Sequence, residues 1–136
     1  MKEFIIKREN IIIKVEAEKE HDSIDSTDYE PQVKEAFKKM RKDHPKWGWC
    51  SIAVTVTLKN ATGHFTPSGT AYLGHCSYEN KGDFILNSGY YKQMVKEAAE
   101  DMLRQVNEYF TYTTNIYKSL GFEIEPVTAV LAIDEE

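Results

Sequence analysis

Six side chains in the sequence have the chemistry of metal ligands or nucleophiles: His21, His44, Cys50, His64, His75 and Cys76. A structural zinc ion needs four converging ligands, and the set that could meet at the ends of two strands is His44, Cys50, His75 and Cys76. Strand parity works against it. Cys50 is in phase with the apolar face of its strand, and the adjacent pair His75 and Cys76 should point to opposite faces of theirs. A thiol nucleophile would need a histidine and an electropositive setting, for which Cys76 with His64 or His44 is the pairing to test. Both cysteines also read as ordinary buried thiols. The adjacent carboxylates Glu100 and Asp101 lie on one helix and cannot face one another across a substrate. No phosphate loop, dinucleotide fingerprint, His-Glu-x-x-His, nucleophile elbow or Cys-x-x-Cys is present. The sequence therefore assigns no catalytic residue, no metal and no cofactor, and it reads as a binding protein rather than an enzyme.

Binding chemistry is better represented. Trp47 and Trp49 flank Gly48, Phe65 lies in a long loop, and Tyr78, Tyr90 and Tyr91 gather near a helix start. Trp49 and Tyr91 sit beside apolar stripes and are expected in the core; Trp47, Phe65 and Tyr90 are the aromatic candidates for partner contact. The net charge is −5, from 17 basic and 22 acidic residues. The basic excess is confined to Lys34, Lys38, Lys39, Arg41, Lys42 and Lys46, whereas residues 83–136 carry 4 basic and 10 acidic groups. That balance disfavours a general nucleic-acid binder. It makes Glu97, Glu100, Asp101 and Glu108 a candidate acidic face for a basic partner protein. The triplet Asn60-Ala61-Thr62 reads as a turn rather than a glycosylation site.

These residues need elements to position them. Phe4-Ile5-Ile6 and the alternation of Ile11, Ile13, Val15 and Ala17 predict strands, with a turn or bulge over Lys7 to Asn10. His21 to Asp28 reads as an exposed loop. Thr27 and Glu30 have capping-box spacing, Pro31 suits a first turn, and Val33, Ala36, Phe37 and Met40 form a stripe, so a helix is expected to end near Asp43 ahead of Pro45. Cys50, Ile52, Val54, Val56 and Leu58 define a clean strand; Thr70 to Tyr78 predicts its antiparallel partner, and Phe84-Ile85-Leu86 a short third. A long helix follows Gly89, its stripe running from Tyr91 through Met94, Ala98, Met102, Val106 and Phe110 to Thr113, Tyr117 and Leu120, with Gly121 as its stop. Pro126 then implies an edge strand or bulge. The expected fold is α+β: one antiparallel sheet of about four to five strands with two helices on one face, in the order β(β)-α-β-β-(β)-α-β.

At 136 residues the chain has the size of a single domain, 1–136. No apolar run has the ~20 residues of a membrane span, and Met1 to Asn10 lacks a secretory core, so the cytoplasm is the expected compartment. Two cysteines do not make a disulfide scaffold. The stripe of the long helix could be buried within the domain or across a homodimer, since periodicity is the same in both.

Two resemblances add expectations. The order helix, Ile52 to Leu58, Thr70 to Ser77, then a helix opening Val95-Lys96-Glu97-Ala98-Ala99 resembles the double-stranded-RNA-binding domain over about residues 29–106. That implies RNA binding through a basic cluster near the helix start, where this chain offers only Lys92 and Lys96. Trp49-Cys50, Val54-Thr55-Val56-Thr57, Tyr72-Leu73-Gly74-His75-Cys76-Ser77-Tyr78, Asp83-Phe84, Tyr90-Tyr91 and Met94 resemble small proteins of phages and mobile elements. This second resemblance implies stoichiometric binding to a host protein, a defence component, as anti-CRISPR and antirestriction inhibitors do.

Overall fold

The alternating and amphipathic runs become five strands and three helices among residues 2–59, 61 and 65–133, which the computed structural model describes. Strand β1 (Lys2–Lys7) leads into β2 (Ile11–Lys19) through a 3-10 turn. Asn10 closes that turn by accepting the Lys7 N–H on its side-chain oxygen at 2.8 Å. Helix α1 (Pro31–Asp43) opens on Pro31 as expected and stops at His44, the residue restricted by Pro45. The expected capping box does not form. Glu30 is the N-cap residue, and the Thr27 hydroxyl instead donates to the Ile24 carbonyl at 2.6 Å. That bond belongs to a 3-10 turn over Ile24–Ser26 within the expected exposed loop, and Ile24 is buried there. Ala36 is exposed, and α1 contributes no fully buried residue.

Strand β3 (Cys50–Leu58) has the expected bounds, and β4 spans Ser68–Cys76, two residues earlier than expected. Phe84-Ile85-Leu86 is helical, within α2 (Lys81–Asn87). The Asn80 side chain accepts the Asp83 N–H at 2.9 Å, and Asp83 holds the Asn87 side chain at 2.8 Å. Capping outweighs the β preference of a three-residue apolar run. Helix α3 (Tyr91–Ser119) ends at Gly121, whose φ of 90° is the left-handed conformation of a helix stop. Strand β5 (Val127–Ala132) starts only after Pro126.

The class is α+β, but the strands form two sheets rather than one. Strands β2, β3 and β4 make a three-stranded antiparallel sheet in that order, while β1 pairs with β5 in parallel, from Lys2 opposite Val127 to Lys7 opposite Ala132. The Lys2 N–H donates to the Pro126 carbonyl at 3.1 Å where this pairing starts.

By contact density the chain forms two compact units: Met1–Ile13, Thr55–Thr70 and Lys96–Glu136 in the first, Lys14–Val54 and Ala71–Val95 in the second. Each of β2, β3, β4 and α3 contributes residues to both. In the first unit Ala98, Ala99, Met102 and Val106 of α3 are buried. A Cβ on Gly69 of β4 would lie 2.0 Å from the Ala98 carbonyl oxygen, so only glycine admits the helix backbone there. Asn107 adds a two-way bond to β5, accepting the Ala129 N–H at 2.7 Å and donating to its carbonyl at 3.1 Å. No described helix is long and apolar enough to cross a membrane.

Candidate functional site

The first unit holds the expected acidic face. Glu97, Glu100 and Glu108 are exposed on α3 and Asp101 is half-buried. Arg104 lies among them and binds two of the four, Asp101 at 2.7 Å and Glu108 at 2.8 Å. The face is thus partly neutralised from within. The apolar side of the same helix changes character along its length. It is buried from Ala98 to Val106, and beyond that Tyr109, Tyr112, Ile116, Tyr117 and Leu120 are 41 to 68% exposed, as is Phe122 at 58%. These positions keep the spacing of a single stripe. Phe110, beside them, packs its ring edge-on to Phe4 of β1, with centroids 5.9 Å apart. Of the aromatic candidates, Phe65 belongs to this unit, stacked on Tyr109 at 4.2 Å.

The second unit holds Trp47 and Tyr90. Trp47 is half-buried beside Phe84, while Tyr90 is exposed at the lip of a cleft of about 430 Å³. The expected core residue Trp49 is buried; Tyr91 is half-buried against Phe84. The basic stretch is also engaged, because Lys38 pairs with Asp25 at 2.8 Å and Lys34 donates to the Asp25 carbonyl at 3.1 Å.

The same unit contains an arrangement absent from the sequence reading. Glu20, at the end of β2, places one carboxylate oxygen against the His75 N–H at 2.7 Å and the Ser51 hydroxyl at 3.1 Å. Its other oxygen accepts the Asp22 N–H at 3.2 Å. The Asp22 carboxylate lies 2.8 Å from Nε2 of His75. Trp49 braces both partners: its ring stacks on His75 at 5.3 Å and its indole N–H donates to the Asp22 carbonyl at 2.9 Å. Phe37 of α1 and Tyr29 continue this aromatic packing, Phe37 at 5.1 Å from Trp49 and Tyr29 at 6.3 Å from His75. Burial pushes the Glu20 carboxyl up, but the two N–H groups and the hydroxyl outweigh it and hold it below the ordinary carboxylate value. Glu20 is therefore ionised at neutral pH.

His75 is the one described non-glycine residue with a positive φ, 53°. The burial alternation of β4 shifts by one residue there, so that Cys76 is buried. His75 stays half-exposed while Cys76 is buried, so the two differ in burial as strand parity expects, and nothing here favours the four-ligand zinc set. Among the described residues the group close enough to share an ion is Glu20, Asp22 and His75. Burial pushes the Cys50 thiol up to about 11 and the Cys76 thiol up to about 12. Their thiols donate to backbone carbonyls, Cys50 to Trp47 and Cys76 to Leu73. That is the opposite of thiolate activation. His64, one of the two histidines paired with Cys76 as a base, lies outside the described residues, as do Asn60 and Thr62 of the turn triplet.

No family model, curated protein or solved structure matches the chain.

Proposed function

We propose that the protein acts by stoichiometric binding to another protein, in the manner of the inhibitors that mobile elements direct at host defence systems, with the final turns of α3 as its contact surface. The observation that carries this reading is the loss of cover along one stripe: Met102 and Val106 are at most 1% exposed, whereas Tyr112 and Leu120 are 63% and 68% exposed. An uncovered run of tyrosine, isoleucine and leucine on a helix is the surface that helix-in-groove recognition uses. Tyrosine suits it, since the ring contributes area and the hydroxyl tolerates water when the partner is away. Residues 108–125 also carry three carboxylates, Glu108, Glu123 and Glu125, against one cation, Lys118. The partner fitting that chemistry presents an apolar groove rimmed by lysine and arginine.

The test is capture from nuclease-treated bacterial lysate by the intact protein and by the double variant Tyr112→Asp, Ile116→Asp. Both substituted positions are exposed, so the variant should keep the wild-type thermal unfolding curve. A discrete protein held by the wild type and lost from the variant supports the reading. Recovery of the same proteins by both contradicts it. Self-association of the wild type that the variant abolishes would put a second copy on the stripe and overturn the choice of partner.

A further inference from the structure

We infer that Glu20, Asp22 and His75 form a binding site for one first-row divalent transition-metal ion. The three donors come from two segments of the second unit, the end of β2 with the residues after it and the end of β4, and their ligand atoms all lie within 4.8 Å of one another. A tetrahedral ion with bonds of about 2.0 to 2.2 Å sets its ligands roughly 3.3 to 3.6 Å apart. Reaching that spacing means opening the 2.8 Å contact between His75 Nε2 and Asp22 by about half an ångström and drawing in donors that now lie within 4.8 Å of one another.

Groups that are not ligands hold the donors in place. Trp49 stacks on the His75 ring and bonds the Asp22 backbone, fixing both with one buried side chain. Glu20 clamps the backbone N–H groups of the other two ligand residues and still keeps a lone pair on the oxygen that accepts from Asp22. The charge also fits: two carboxylates balance a divalent ion. Arg41 and Lys46 line the same depression as Glu20 and Asp22, and no ion pair between them and these carboxylates occurs among the described residues. An imidazole with two carboxylates selects zinc, manganese, iron or cobalt over magnesium or calcium. The side chains of Asp22 and His75 are 62% and 36% exposed, which leaves the outer coordination positions to water or an incoming ligand.

The experiment is calorimetric titration of the metal-stripped intact protein with Zn²⁺. One ion per chain should bind, and Asp22→Asn and His75→Ala should each weaken binding by about tenfold or more while His21→Ala leaves it unchanged. Asp22→Asn separates a metal site from a simple hydrogen bond, because an amide oxygen still accepts from the imidazole but is a poor zinc ligand. Unfolding in chelator checks that each variant is folded, and added Zn²⁺ should raise the Tm of the wild type but not of Asp22→Asn. Absence of uptake by the wild type overturns the inference. So does affinity that is unchanged in folded Asp22→Asn, or that disappears with His21→Ala.

Discussion

Two stretches of α3 carry the same stripe and meet different fates. From Ala98 to Val106 it is buried, and from Tyr109 to Leu120 it stands open. The periodicity is identical; the residue types are not. The covered stretch uses Ala98, Ala99, Met102 and Val106, small or flexible residues that let the helix approach Gly69 within a distance no Cβ could share. The open stretch uses Tyr109, Tyr112 and Tyr117, each with a hydroxyl that water can satisfy. Spacing thus defines a face, while side-chain size and polarity say what the face meets.

Substitutions across the boundary sharpen that contrast. Met102→Ala, fully buried, should cost about 2 to 5 kcal/mol in denaturant unfolding. Gly69→Ala should cost about 1 to 3 kcal/mol, since the new methyl meets backbone rather than a movable side chain. Arg104→Ala removes two exposed ion pairs and should leave the unfolding curve close to that of wild type. Its clearer effect is a more acidic face, read as faster association with a basic partner at low salt. Ile116→Ser, two turns into the open stretch, should leave stability within about 0.5 kcal/mol of wild type. A loss of several kcal/mol at Ile116 would show that the open stretch is covered after all.

Burial has a chemical reading as well. The Cys50 thiol is raised in the folded chain, so the stability it contributes is complete below its unfolded value, near 9, and is lost as pH rises toward about 11. Unfolding midpoints should fall over that window, and less so in Cys50→Ala if that variant folds. At pH 8 both thiols should resist a disulfide reagent until the chain unfolds.

Much of this architecture was legible in the residues. β3 was readable from Cys50 to Leu58 because its alternation is unbroken, and α3 because its stripe spans many turns. The split into two sheets was not, since strand pairing between residues 2–7 and 127–132 joins the far ends of the chain. Helix α2 is not legible from its three apolar residues, which carry no period, although Asn80 and Asp83 have cap spacing. The site was half visible. His75 stands out as a ligand type, but Asp22 falls in the expected loop and Glu20 between that loop and the strand alternation ending at Ala17, 53 or more residues away in sequence. The adjacent Lys19-Glu20-His21-Asp22 was the available signal, a carboxylate and imidazole cluster immediately after a strand. The positive φ at His75, which brings its N–H to Glu20 while turning Cys76 inward, had no signature in residue type.

The most direct test places a photo-crosslinking amino acid at Tyr112 and, as control, at Lys96, an exposed position of α3 away from the stripe. The account predicts one discrete adduct with a different protein from position 112 and none from position 96. Equal labelling from both positions, no adduct from position 112, or an adduct of twice the chain's own mass would contradict it.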